Sequence, residues 1–135
     1  MTTHNRDAWM LRQVLDQPEV YDAILVTADG LVKAFSEGLN EDRADSIAAA
    51  LAGVQSTSSA TAMFCRAPAD SWQQSLVQFA GGYVVTIRAA EGTFLSVAAS
   101  GAADVGQVAY RMHEVVDQLG REMGSRARLD VGSPT

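Results

Sequence analysis

The side chains that could carry chemistry are few and far apart. Cys65 is the single cysteine, and the two histidines, His4 and His113, stand well away from it. A metal site needs ligands clustered at short spacing, and no Cys–His or His–His pair supplies that spacing. A cysteine nucleophile needs a neighbouring base to form its thiolate. None is identifiable for Cys65, which reads as a small, partly buried hydrophobe. His113 reads as a solvated helix residue. Glu41, Asp42 and Asp45 cluster at a predicted helix start, where the positive end of the helix dipole already explains them. Gly81-Gly82 is too short to cradle phosphate, and neither GxxxxGK[ST] nor GxGxxG occurs. Arg66 and Arg88 read as surface charges and not as arginine fingers. No catalytic residue, metal site or cofactor site is expected, which points to function by binding.

Charge narrows the choice of partner. Ten basic residues face sixteen acidic ones among 135, for a net charge of −6. Neutralising phosphates takes a basic stripe, and the basic residues here are scattered. Nucleic acid and anionic membrane surfaces are therefore not expected as partners, whereas an acidic surface can be steered to a basic patch on a protein. No apolar run approaches the roughly 20 residues of a membrane-spanning helix, so no membrane insertion is expected. Met1 to Asp7 has neither a basic n-region nor an apolar h-region, and a lone cysteine cannot form an internal disulfide. Both features predict a cytoplasmic protein.

The length suits one domain, and a chain of this size buries about two thirds of the surface its unfolded form exposes. Ala8 to Leu15 predicts a short amphipathic helix, stopped before Pro18. Tyr21 to Thr27 and Leu31 to Ser36 read as strands joined at Asp29-Gly30, a strong hairpin signal. A long Ala-rich helix follows from Asn40, its N-cap, to about Met63. Ala44, Ile47, Ala48, Leu51 and Val54 fall at helical spacing along it. Three strands come next: Leu76 to Phe79, Tyr83 to Arg88 and Thr93 to Ala98, turning at Gly81-Gly82 and Glu91-Gly92. Ile24, Val26, Val85, Ile87 and Val97 are expected in the core. A last helix runs from Asp104 to Met123, with an apolar stripe and Gly124 as its cap. The expected fold is α/β (α+β), in the order α-β-β-α-β-β-β-α, with a five-stranded, mostly antiparallel sheet and helices on both faces. The domain is expected over 8–123, with 1–7 and 124–135 as flexible termini.

The stretch AILVTADGLVKAFSEGLNEDRADSIAAALAGV, Ala23 to Val54, resembles the core signature of the Roadblock family of dynein light chains and their bacterial relatives. The later GGYVVTIRAAEGTFLSVAA, followed by a helix near Asp104, is similar to the family's second half. The resemblance implies a profilin-like fold and a homodimer, in which third strands pair edge to edge and second helices pack together. Carried onto this sequence, the pairing strand is Ser75, Leu76, Val77, Gln78 and Phe79, and the helix face includes Ile47, Leu51 and Val54. The many small residues of that helix, Ala48, Ala49, Ala52, Gly53, Ser56 and Ala60, would let a second backbone approach closely.

Bacterial members resembling this chain bind Ras-like small GTPases and modulate their nucleotide cycle. A set in actinobacteria, to which this acidic chain looks closest, is encoded with a GTPase and a sensor-kinase-like protein. The resemblance thus implies a non-enzymatic regulator with a Ras-like small GTPase as partner. The alternatives from other classes are a small-ligand sensor and a purely structural adaptor. A sensor pocket wants convergent polar groups, and the expected core positions are uniformly apolar.

Overall fold

Positive backbone φ angles mark the turns that fold the chain. The computed structural model describes residues 8–90 and 92–132, with the side chains beyond residue 121 outside that description. Gly30 adopts φ +87°, Gly81 +91° and Gly92 +72°, a region that side chains rarely tolerate. Each closes one antiparallel hairpin. The elements are α1 (Ala8–Leu15), β1 (Val20–Thr27), β2 (Val32–Phe35), α2 (Glu41–Ser59), a 3₁₀ turn (Ala62–Cys65), β3 (Gln74–Phe79), β4 (Gly82–Arg88), β5 (Thr93–Ser100) and α3 (Val105–Gly132).

The five strands form one sheet in the order β2-β1-β5-β4-β3, and every neighbouring pair is antiparallel. Strand alternation then sorts side chains to two faces. On one face Leu25, Ile87, Leu95 and Val97 pack with Met10, Leu11 and Val14 of α1 and Met112, Val115 and Leu119 of α3. Gln13 donates to Gln118 at 2.9 Å across the two helices. On the other face Ile24, Val26 and Phe94 pack under Ala44, Ala48 and Leu51 of α2. The Trp72 ring meets Phe94 edge-on, at 6.1 Å and 71°. Ile24, Val26, Val85, Ile87 and Val97 are all buried, as expected.

Two helix ends differ from expectation. α2 starts as predicted, with the Asn40 side chain accepting from the Arg43 amide at 2.8 Å, yet it ends at Ser59 instead of Met63. Hydroxyl groups explain the early stop: Thr57 bonds back to the Gly53 and Val54 carbonyls and Thr61 to Ser58, in competition with the helix ladder. The 3₁₀ turn follows and closes on Arg66 at φ +64°. α3 continues through Gly124 to Gly132, since one glycine costs a helix only about 1 kcal/mol and does not end it. Residues 124–132, expected as a flexible tail, are thus helical; 1–7, His4, Glu91 and 133–135 lie outside the described residues.

Two residue readings are corrected as well. Cys65 is exposed and not partly buried, on a 3₁₀ turn that has no buried residue. Leu51, assigned to a helix-pairing face, points into its own subunit, where only 8% of it is exposed and it packs on the sheet beside Ile24 and Phe94. It is a core residue first.

One buried polar group ties β1 to the residue that follows β2. Ser36 is 4% exposed; its hydroxyl donates to Asp22 Oδ1 at 2.7 Å and accepts from the Ala23 amide at 3.1 Å. Ser36→Ala leaves that amide without its side-chain partner, so we expect a loss of about 1–3 kcal/mol in urea unfolding. Leu51→Asp buries an unpaired carboxylate against apolar side chains. We expect it to lower stability by more than about 3 kcal/mol, read as collapse of the thermal transition and not as a folded monomer.

Candidate partner interface

β3 ends the sheet, so among the described residues one of its edges has no neighbouring strand. An uncovered edge presents backbone donors and acceptors to any strand that can approach. Register sorts its side chains: Ser75, Val77 and Phe79 lie opposite Thr86, Val84 and Gly82 and share the α2 face. Gln74, Leu76 and Gln78 share the α1–α3 face. Leu76 is 50% exposed and Phe79 61%. All five strand residues expected in a dimer contact, Ser75 to Phe79, therefore stand together at the sheet edge.

The end of α2 is held beside this strand. Trp72 Nε1 donates to Ser75 Oγ at 3.0 Å, and Ser75 Oγ lies 3.5 Å from Ser58 Oγ. The outward side of α2 carries Ala49, Ala50, Gly53, Ser56 and Thr57, all exposed. A methyl group added at Gly53 would meet no atom within 4 Å. Ile47 and Val54, also expected in the contact, are half-buried on the flanks of this surface. With Leu51 turned inward, the face open to a partner is made of small residues instead of branched ones.

Two features escaped the sequence reading. Met63, expected as the end of the helix, and Phe64, which lies just beyond that expected end, stand on the 3₁₀ turn with 81% and 92% of their surface exposed. Their signal was two large apolar residues in succession between the Ser/Thr-rich helix end and Pro68. The other feature is a groove of about 590 Å³ between the first half of α2 and the sheet. Its lining is mainly apolar, with Ile24, Leu39, Ile47, Leu51, Val84 and Ala98, while Tyr21, Asp22 and Arg43 also border it. The groove exists because α2 crosses the sheet obliquely and leaves one corner bare.

The described residues hold no group of three His, Cys, Asp or Glu side chains placed to share a metal ion. Among them no helix is long and apolar enough to cross a membrane. His113 is exposed on α3. Arg88 donates through Nε to the Trp72 carbonyl at 2.9 Å, which ties the loop before β3 to β4.

Comparison with known proteins fits this architecture. No curated protein sequence matches the chain. A crystal structure of a Roadblock/LC7 domain from Streptomyces avermitilis is 28% identical, with a TM-score of 0.77 over 85% of this chain and 95% of that one. The gliding protein mglB from Thermus thermophilus is 21% identical, with a TM-score of 0.75 and 90% of each chain covered. Acanthamoeba castellanii profilin II shares the fold at 16% identity, with a TM-score of 0.61 over 85% of this chain and 96% of that one. The family model described as Roadblock/LC7 domain matches residues 7–99, which is most of the chain and includes the whole sheet apart from the last residue of β5. The chain belongs to the Roadblock/LC7 domain family.

Proposed function

We propose that this chain is a non-catalytic, homodimeric regulator that binds a Ras-like small GTPase and biases its nucleotide state in a bacterial cytoplasm. The observation that carries the reading is the open β3 edge beside the exposed small-residue side of α2, within a Roadblock/LC7 domain. Pairing two β3 strands about a two-fold axis joins two sheets into one and places both α2 helices on the same face. The regulatory domain is residues 8–123. A sensor-kinase-like protein is a further partner, as the resemblance to actinobacterial members implies.

Such a dimer needs no catalytic group. A GTPase alternates between ordered and disordered switch segments, and a rigid surface that binds one arrangement better shifts the population towards it. The likeness of fold to a gliding-motility protein supports this reading. The second reading, a small-ligand sensor, draws on the apolar groove under α2.

Two experiments test the proposal. Gly53→Glu places a carboxylate on the outward side of α2, where the subunit has open space. We expect an unchanged circular dichroism spectrum and a monomer in sedimentation at concentrations where the native protein is dimeric; a persistent dimer would rule out this face. In the second, immobilised protein is exposed to native lysate with GTPγS or with GDP. Nucleotide-dependent capture of a small GTPase is expected, and equal capture of other proteins in both conditions would favour a structural adaptor.

A further inference from the structure

The end of α2, from which the chain leads directly into Met63 and Phe64, and the groove lie at opposite corners of one sheet face. α2 begins beside the start of β1, where Arg43 and Ile47 join Tyr21 and Asp22 around the groove. It ends at the other extremity of the sheet, where Ser58 reaches Ser75 near the start of β3. The 3₁₀ turn continues from there with its two apolar side chains exposed. The bare corner, by contrast, lies towards the end of β3: Ala98 pairs with Val84, and Val84 with Val77. Phe79, on the same face, completes that end of the strand.

A two-fold axis normal to the sheet at the β3 edge exchanges these corners. Antiparallel pairing sets the start of one β3 beside the end of its partner. The corner where α2 leads into Met63 and Phe64 is thereby carried over the bare corner of the other subunit. We propose that Met63 and Phe64 of each subunit seat in the partner's groove, against its accessible lining residues Ile47, Ala50, Val84 and Ala98. The inference rests on the dimer reading above and adds its anchor. The surfaces match in chemistry: two large apolar side chains exposed side by side are unusual on a surface that stays wet. The groove that receives them is mainly apolar, and burying both removes apolar area from water twice per dimer. On this assignment the groove is a socket for a second copy and is closed to a small ligand.

The lone thiol next to Phe64 gives a direct probe. Cys65 is exposed, and Tyr21, at the groove's border, is 62% exposed. Native protein and the Tyr21→Cys variant are first shown to be dimers or monomers by sedimentation, then treated with a short bis-maleimide. We expect a covalent dimer from Tyr21→Cys, with the link mapped by peptide mass spectrometry between Cys65 and the new thiol. Native protein should give none, because its two Cys65 thiols sit at opposite corners. The Met63→Ser, Phe64→Ser double variant should keep its circular dichroism spectrum and raise the dimer dissociation constant about tenfold or more. A dimer that neither cross-links through Tyr21→Cys nor weakens in the double variant overturns the socket and leaves the dimer standing. A native protein that is monomeric overturns both.

Discussion

β1 and β5 pair over seven positions, from Val20↔Ala99 to Thr27↔Thr93, although most of the chain's other elements lie between them in sequence. Everything else in the sheet is made of hairpins, each closed by a local turn and each only marginally stable alone. Joining the β1–β2 hairpin to the β3–β4–β5 meander along this one seam makes a five-stranded sheet. It also buries Ile24, Leu25, Leu95 and Val97 between helices on both sides. The entropy of closing so long a loop is recovered only when those side chains leave water.

The same seam dictates where the exposed surfaces fall. With β1 and β5 central, β2 and β3 become opposite edges, and the chain between them must traverse a face of the sheet. α2 makes that crossing. Its alanines let it lie close to the β1–β2 turn, where Ala52 Cβ would stand 3.5 Å from a Cβ placed on Gly30. An oblique single helix cannot cover a face as α1 and α3 together cover the other. A bare corner, an open β3 edge and an exposed 3₁₀ turn are therefore consequences of topology. A regulator that acts by contact needs surfaces of this kind and no reactive side chain.

How much of this was legible in the sequence depended on the range of the interactions involved. Turn glycines, strand alternation and the Asn40 cap act within a few residues, so they were readable one segment at a time. The end of α2 was misread because Thr57 and Thr61 stop the helix through hydroxyl–carbonyl bonds that compete with good alanine propensity. Leu51 was misread because Ile47, Leu51 and Val54 sit close on the helix surface, and spacing alone does not say which side meets the sheet.

By itself, then, the sequence determined the elements, their order, the family signature and the scarcity of reactive groups, since each rests on residue type and short spacing. Tertiary structure alone decided that Leu51 turns inward, that Met63 and Phe64 are exposed on the subunit's own surface, and that an apolar groove opens at the far corner of the same face. Those outcomes depend on the angle at which α2 crosses the sheet. That angle is set by packing Ala44, Ala48 and Leu51 against strands distant in sequence, and no local pattern encodes it.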